Sequence, residues 1–377
     1  MVINLIDRIN LINKCKFSNV VGDKSNRHKI IVRNNGYDSE YLFSAPVIEQ
    51  DTGKIVSMRF EHSGDDSFKL KGTNCTIYIQ PRGVLFDGNG QRVRVSWGKN
   101  HEWVLKNNVL MSEDISLFAT TNGVLVQQNI EEKSSANIFI TSSYNDNTIR
   151  ANSKYFALMK EKHVPNFIVS TICFKNKRSE LFSSVVKNQK ENDRYKLSIL
   201  GAPSMQGDVF YEINMYEHKI LQDTTVELIR PTENNAFGSV AFVGLSQSFG
   251  EQRLYMKFDY SMLGDINTKK IKSIRLFIPS MGDITKEIEV YEMNFRFCSF
   301  GSTWSNKIMH GSKIAKVSKL NTYYCIELTN QMIDSNGNLK FSNGIMIRIP
   351  QQDKGYTIMF TGDSCVNSPI IEVEYCL

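Results

Sequence analysis

The chain consists largely of short segments in which apolar and polar residues alternate, separated by residues that favour turns. Residues 253–258, 274–278 and 345–349 are typical, because every second side chain in them is apolar. This period of two places the apolar side chains on one face of a β-strand. Asn122 and Gly123 form one of several Asn-Gly pairs, which tolerate the positive φ of tight hairpin turns. The pattern predicts an all-β protein.

Helical periodicity is confined to residues 3–11 and 153–162, which are the segments expected to form short helices. Hairpins are predicted around Asp51 and Gly53, and around residues 87–90, because turn residues there separate two strand-like segments.

The domain organisation is predicted from breaks in this pattern. Residues 167–174 form an apolar run typical of a buried strand, and residues 201–207 carry two glycines and a proline that suit a linker. We therefore expect an N-terminal β-rich domain over 1–160 and a β segment with a linker over 161–205. A jelly-roll-like β-sandwich should follow over 206–377, so that one or two β-rich domains precede it.

The charge is unevenly distributed along the chain. Its net charge is +6, but the part through Met205 has 28 basic and 20 acidic residues, and the remainder is slightly acidic. A basic first half suits polyanions such as acidic glycans, although a mildly basic solvated surface explains it more simply. No run of like charge is long enough to indicate a specific nucleic-acid partner.

Motifs for catalysis are not found. None of the six histidines lies in an H-E-x-x-H context, and there is no G-x-S-x-G motif or glycine-rich phosphate loop. His101, Glu102 and Trp103 form a local cluster that follows a polar turn, and a loop or hairpin tip explains it best. Trp97 and Trp304 are expected to be buried. We predict that the protein is not an enzyme.

No apolar stretch approaches the roughly 18 residues that a membrane-spanning helix needs, and residues 1–17 include charged Asp7, Arg8 and Lys14. We therefore expect no membrane span and no signal peptide, which leaves the export route open. The seven cysteines are widely spaced without C-x-x-C, so free thiols are expected.

The C-terminal half resembles the DNRLRE family, a group of β-sandwich modules in bacterial and archaeal surface and secreted proteins that overlaps with carbohydrate-binding modules. The stretches that carry the resemblance are residues 222–226, 231–238, 251–259, 274–278, 302–305 and 368–375. The N-terminal half is more weakly similar to the region that precedes such modules in wall-associated proteins, mainly over residues 41–47. The resemblance implies a β-sandwich that binds polysaccharide or serves in adhesion.

A binding face is predicted from the strand alternation. If Leu254 and Met256 enter the core, Arg253, Tyr255 and Lys257 point outward. Arg275 points outward from a second strand in the same way. If the two strands are neighbours, these four side chains form one cationic face with an aromatic ring. Such a face suits an acidic polysaccharide, because guanidinium binds carboxylate in a bidentate manner. Ordinary solvated strand residues are the simpler alternative.

No catalytic metal is predicted, and a structural Ca²⁺ is the one metal considered. Asp223 begins a strand within the family's own motif, where it would close a Ca²⁺ site with backbone carbonyls or bond to backbone N–H groups in a turn. The acidic turns at Asp87 and Asp334 lack the downstream glutamate of an EF-hand loop.

The leading hypothesis is a non-catalytic surface or particle-associated protein whose C-terminal β-sandwich binds polysaccharide, with an acidic one favoured, or acts as an adhesion module. Its expected location is extracellular, on a cell surface or on a particle surface. The alternative is a structural subunit of a virion, phage-tail-like particle, spore coat or filament that self-assembles and has no glycan ligand. Free cysteines and the expected lack of a signal peptide suit that alternative.

Overall fold

The structure is a computed structural model of the whole chain. It describes residues 5–13, 20–23, 25–33, 36–64, 66–88, 90–132, 134–143, 148–162, 164–202, 205–217, 220–258, 271–281, 285–307, 309–314, 316–336, 343–350, 353–361 and 367–376.

Nearly all of the regular secondary structure in the described chain is β-strand, as the alternation predicts. The N-terminal elements are α1 (Leu5–Asn13), β1 (Val20–Gly22), β2 (Lys29–Arg33) and β3 (Tyr37–Phe43). The middle of the chain forms β4 (Phe60–His62), β5 (Phe68–Lys71), β6 (Cys75–Gln80), β7 (Gly83–Gly88), β8 (Gln91–Ser96), β9 (Val104–Lys106), β10 (Val109–Met111), β11 (Ile115–Ala119), β12 (Gly123–Ile130), β13 (Ser135–Ser142), β14 (Thr148–Ala151), β15 (Tyr155–Glu161), β16 (Val164–Asn176), β17 (Leu181–Phe182), β18 (Val185–Glu191), β19 (Arg194–Leu200) and β20 (Gly207–Met215). The C-terminal elements are β21 (Leu221–Glu227), β22 (Val240–Ser246), β23 (Gly250–Phe258), β24 (Ile271–Met281), β25 (Glu289–Met293), β26 (His310–Lys313), β27 (Val317–Leu320), β28 (Tyr323–Glu327), α2 (Thr329–Met332), β29 (Ile345–Arg348), β30 (Gly355–Phe360) and β31 (Ile370–Cys376).

The chain forms two compact units. The first unit contains Glu49–Asp51 and Val56–Glu217, and the second contains Ile3–Ile48, Thr52–Ile55 and His218–Leu377. Among the described residues, no helix has the length and apolar character needed to cross a membrane.

The first unit is built from two antiparallel sheets. One has the order β14-β15-β16-β20-β12-β11-β10-β9 with β17 beside β16, and the other has the order β18-β19-β13-β8-β7-β6-β5-β4. Their inner faces meet, since the rings of Phe86 on β7 and Phe167 on β16 lie 5.4 Å apart. The indole N–H of Trp97 donates to the Tyr211 hydroxyl on β20 at 2.7 Å.

The second unit is one continuous antiparallel ladder, which forms two layers around a shared core. The ladder runs β1-β2-β3-β31-β24-β30-β22-β23-β29-β25-β26, with β21 beside β23 and β28 beside β24. β24 links the two layers, because its residues 275–279 pair with β28 whereas Ser280 and Met281 pair with β30. Leu254 and Leu276, one from each layer, are both fully buried in the same cluster. This arrangement resembles a β-sandwich, as expected for the C-terminal half.

The units differ from the predicted domains at two places. Residues 3–48 were expected to belong with the N-terminal half, but β3 pairs with β31 from Tyr37 opposite Cys376 to Phe43 opposite Ile370. Residues 203 and 204 of the expected linker lie outside the described residues, and its last residue, Gly207, begins β20, which pairs with both β12 and β16 in the first unit. Strand pairing across the length of the chain therefore decides which segments belong together.

The helix expected over 153–162 is wrong, and the segment forms β15 instead. β15 pairs with β14 on one side and β16 on the other. Residues 155–159 are all buried, so both faces of the strand are covered and the apolar run needs no helical period. The short helix expected over 3–11 is confirmed as α1. Among the described residues, Cys298, Cys325 and Cys376 have free thiols.

β3 packs in one core with the C-terminal strands, so a substitution in β3 should destabilise those strands. Leu42 on β3 is 1% exposed within the core of the second unit, so Leu42→Ala should lower the free energy of unfolding of that unit by about 2–5 kcal/mol. Hydrogen exchange measured by mass spectrometry should show faster exchange throughout β24 and β31.

The matched control is Val21→Ala on β1, where the side chain is 46% exposed. In this control, the free energy of opening that hydrogen exchange reports for β24 and β31 should stay within about 0.5 kcal/mol of the parent value. Unchanged exchange in the Leu42→Ala variant would show that β3 does not contribute to the stability of the C-terminal strands.

Candidate functional site

The four predicted site residues do not share one face. Arg253, Tyr255 and Lys257 lie on β23, whose neighbours are β21, β22 and β29. Arg275 lies on β24, which pairs with β28 and β31. Because the inward neighbours Leu254 and Leu276 meet in one core, the side chains of Arg253 and Arg275 lie on the outer faces of different layers. The structure thus separates Arg275 from the expected site.

Tyr255 and Lys257 lie on the outer face of their layer, but they are not accessible. Tyr255 is 2% exposed and Lys257 is 7% exposed. The Tyr255 ring packs 6.1 Å from the ring of Phe297, and Met293 and Met346 belong to the same apolar cluster. The segment around Phe297 therefore covers this part of the sheet. These two residues therefore lie beneath the surface and are not available to a ligand.

Arg275 is held in an ion-pair network of its own layer. Its guanidinium binds the carboxylate of Glu372 and lies 3.3 Å from that of Glu374. The Tyr41 hydroxyl donates to Glu372 at 2.8 Å. Burial raises the pKa of Glu372, although Arg275 and Tyr41 counteract the shift. With two carboxylates beside it, Arg275 has little charge to offer a ligand.

Arg253 is half-buried, with 13% of its side chain exposed, and it lies beside Trp304, which was expected to be buried. The Arg253 guanidinium carbon is 5.1 Å from the centre of the Trp304 ring, and the Lys307 Nζ is 4.2 Å from it. Trp304 and Lys307 are both half-buried. The Arg253 Nε also lies 2.6 Å from a carboxylate oxygen of Glu251. Two cations therefore converge on one indole ring.

The segment that carries Trp304 is fixed by side-chain hydrogen bonds. The Asn234 amide donates to the carbonyls of Ser299 at 2.6 Å and Ser302 at 2.8 Å. The backbone N–H of Ser305 donates to the Pro231 carbonyl at 2.9 Å. Two of the sequence stretches that carry the family resemblance, 231–238 and 302–305, thus contact each other and hold the indole in place.

A second arginine lies next to Arg253 across the sheet. The pairing of Leu254 with Ile347 puts Arg348 on the outer face of β29, beside Arg253. The Arg348 Nε lies 3.1 Å from Glu289, and its Nη2 donates to the Tyr291 hydroxyl at 2.7 Å.

Burial acts to raise the pKa of Glu289, but hydrogen bonds from Tyr291, Lys313 and Arg348 hold this pKa below its usual value. Glu289 is therefore a fixed anion that orients Arg348. The surface formed by Arg253, Tyr291, Trp304, Lys307 and Arg348 is called the Trp304 face below.

A shallow pocket adjoins the Trp304 face. It encloses about 370 Å³, including space open to solvent, and Glu251 and Arg348 line it together with Gly244, Leu245, Gln252, Ile349, Pro350 and Asp353. Glu251 thus contacts both the pocket and Arg253. Aromatic rings and charged groups with fixed positions at a concave surface are typical of sites that bind polar small molecules or sugar units.

The proposed Ca²⁺ ligand Asp223 lies on β21 opposite Met256 and is 1% exposed. Within the part of the chain that the structure describes, no group of three or more His, Cys, Asp or Glu side chains is placed to hold a metal ion. The side-chain geometry of the described residues therefore adds nothing to the Ca²⁺ hypothesis.

The cluster around His101 is part of the core of the first unit. His101 is 2% exposed and its ring stacks on Trp103 at 5.1 Å, with Trp97 at 5.5 Å. Its Nδ1 lies 3.0 Å from the Ser112 hydroxyl, whereas Glu102 is exposed. The three residues form no catalytic arrangement, and Trp97 is buried as expected.

No family model matches the chain, and no curated protein matches it. Among solved structures, the chain is similar to the N-terminal domain of the Streptococcus gordonii adhesin Sgo0707, with 10% sequence identity over 95% of this chain and 94% of that one. The TM-score is 0.18, which is too low to establish a common fold or function.

The buried His101 should make the stability of the first unit depend on pH. Burial lowers the pKa of His101; the negative charge of Asp114 opposes this shift, and the positive charge of Lys99 adds to it. The folded unit therefore binds this proton less readily than the unfolded chain, whose histidine has a pKa of about 6.5. Its contribution to stability is complete above that pH and is lost as the pH falls below it.

Urea unfolding followed by fluorescence at pH 7.5 and 5.0 measures this effect. His101→Phe should reduce the loss of stability between the two pH values, whereas His62→Phe, at an exposed histidine on β4, should retain it. Equal pH dependence in the parent and in His101→Phe would show that His101 is not the responsible group.

Proposed function

We propose that the protein is a non-catalytic polysaccharide-binding protein of a cell or particle surface, and that the second unit binds sugar through the Trp304 face. The observation that carries this proposal is the half-buried Trp304 ring with Arg253 and Lys307 beside it. An indole offers a flat apolar surface to the C–H groups of a pyranose, while the cations flank it. The resemblance to the DNRLRE family supports the same proposal.

The charges of the face favour an acidic sugar. Burial lowers the pKa of Lys307, and the positive charge of Arg253 lowers it further. A bound carboxylate would relieve the repulsion between these two cations. Arginine can bind such a group in a bidentate manner, and the fixed orientation of Arg348 reduces the entropy lost on binding.

The carboxylates of the face suit binding better than hydrolysis. A glycosidase needs a carboxylic acid that holds its proton near neutral pH and a second carboxylate roughly 5–9.5 Å away. Glu289 has a lowered pKa because Tyr291, Lys313 and Arg348 donate to it. Glu251 is engaged with Arg253. Both acids therefore serve to position arginines.

One observation favours the architectural alternative. Phe295 and Met309 are 71% and 78% exposed, and the backbone N–H of Asn294 donates to the Met309 carbonyl at 3.5 Å. Two large apolar side chains are thus exposed close together near the edge strand β26. Such a patch is a suitable surface for self-assembly.

Loss of the indole should weaken polysaccharide binding. Trp304→Ala removes the stacking surface and both cation–π contacts, a loss of roughly 1–2 kcal/mol or about tenfold in affinity. Affinity electrophoresis of the full chain in gels containing polygalacturonate, compared with its neutral methyl ester, measures this effect. Arg253→Gln should weaken binding only in the acidic gel.

The matched control is Lys319→Gln. Lys319 lies on β27, away from the Trp304 face, and pairs with Glu287. The variant should migrate like the parent protein. Free migration of the parent in both gels, together with concentration-dependent growth of the particle in light scattering, would instead establish the architectural role.

A further inference from the structure

The outer face of the eight-stranded sheet in the first unit is an open, basic surface. Along β5, β6, β8 and β13 the side chains alternate between buried and accessible, so one side of the sheet packs in the core and the other faces solvent. Its outward cations include Lys69, Arg92, Arg94, Lys187, Arg194 and Lys196. This surface is called the basic sheet face below.

Some cations of this face are neutralised by carboxylates, and others are not. Lys69 pairs with Glu61 at 3.3 Å and Arg92 with Asp87 at 3.0 Å. Arg194 pairs with Glu191 at 3.0 Å. By contrast, none of the ion pairs among the described residues includes Arg94, Lys187 or Lys196. The face therefore has positive charge available for a ligand.

The strand register spaces these cations with hydrogen-bonding groups between them. Thr141 on β13 lies directly opposite Arg94 on β8. Ser198 on β19 lies between Asn137 on β13 and Lys187 on β18. Neighbouring strands are roughly 4.8 Å apart, so cations two strands apart are separated by about 10 Å. Thr141 thus lies beside Arg94 and Ser198 beside Lys187, while Leu85 is the other cross-strand neighbour of Arg94 and Phe139 lies opposite Lys196.

This composition distinguishes between polyanions. The Phe139 ring is covered by the Arg194 guanidinium at 4.3 Å, and Tyr78 on β6 is half-buried, so these rings do not form the open row on which successive bases of a single-stranded nucleic acid stack. A flat sheet also offers no helix or ribbon to enter a duplex groove. Interspersed Ser, Thr and Asn side chains instead suit a ligand rich in hydroxyl groups.

We propose that the basic sheet face is a second binding surface, which contacts the carboxylates of an acidic polysaccharide through Arg94, Lys187 and Lys196. The proposal shares its ligand class with the function proposed above, but it uses other residues and stands on its own geometry. The contacts are exposed and electrostatic, so they weaken as the ionic strength rises.

The test compares two variants of the full chain that lose the same charge. The first is Arg94→Gln, Lys187→Gln and Lys196→Gln. The matched control is Lys106→Gln, Lys160→Gln and Lys162→Gln, three exposed lysines outside the basic sheet face, the first on β9 and the second on β15. Binding to polygalacturonate is measured by titration at several salt concentrations, with oligo(dT) as a nucleic-acid probe and the melting temperature as a check of folding.

We expect the first variant to bind polygalacturonate about tenfold more weakly, because it loses three exposed ion pairs with the ligand. Its affinity should also depend less steeply on the salt concentration. The control should stay within about twofold of the parent. Equal weakening of both variants would overturn the proposal, because net charge alone would then explain the binding. A first variant that loses oligo(dT) binding but keeps polygalacturonate binding would also overturn it.

The Trp304→Ala variant separates this proposal from the proposed function. If Trp304→Ala weakens binding and the first variant does not, the basic sheet face is refuted and the Trp304 face stands. If the first variant weakens binding and Trp304→Ala does not, the basic sheet face stands and the Trp304 face is refuted.

Discussion

Every sheet in this protein has two faces, and the strand geometry forces their side chains to alternate between them. One face of each sheet packs into a core, so the fate of the other face decides what the surface can do. In the second unit the outer faces are partly covered. Arg8 of α1 donates to the Tyr323 hydroxyl at 3.3 Å and lies over Phe43 on one layer, while the segment around Phe297 covers Tyr255 on the other.

This covering determines where a ligand can bind on the second unit. Phe297 and its neighbours bury the middle of the β23 face, whereas Trp304 and Tyr291, which pack against the same cluster, are only partly buried. Trp304 belongs to that segment and packs against the same cluster. The candidate site therefore lies at the border between the covered and open parts of the sheet, where an apolar ring and arginines can meet.

The alternation could be read from the sequence, but the covering layer could not. Leu254, Met256 and Leu276 are buried as the period of two predicts. Nothing in that period indicates that Tyr255 is also buried, because its cover comes from a segment about 40 residues away. The signal that was available is local: Trp304 lies in a polar stretch with Lys307 three residues later.

The pairing between distant strands could not be predicted from the sequence either. The contact of β3 with β31 joins residues more than 300 positions apart, and the strands themselves carry no mark of their partner beyond apolar periodicity. The predicted binding face required β23 and β24 to be neighbours, and the structure pairs each of them with other strands for the same reason. Local patterns thus predict strands and their faces, whereas the set of side chains on one surface depends on sheet order.

The two candidate surfaces differ in how their charges are compensated, and this gives them different physical roles. On the Trp304 face, Glu251 and Glu289 fix Arg253 and Arg348 in place, so little charge extends into solvent but the geometry is set before a ligand arrives. On the basic sheet face, Arg94 and Lys196 extend uncompensated charge over a wide surface, which attracts a polyanion at a distance without selecting its structure. A long acidic chain would therefore be attracted mainly by the first unit, and selection among sugars would depend on the second.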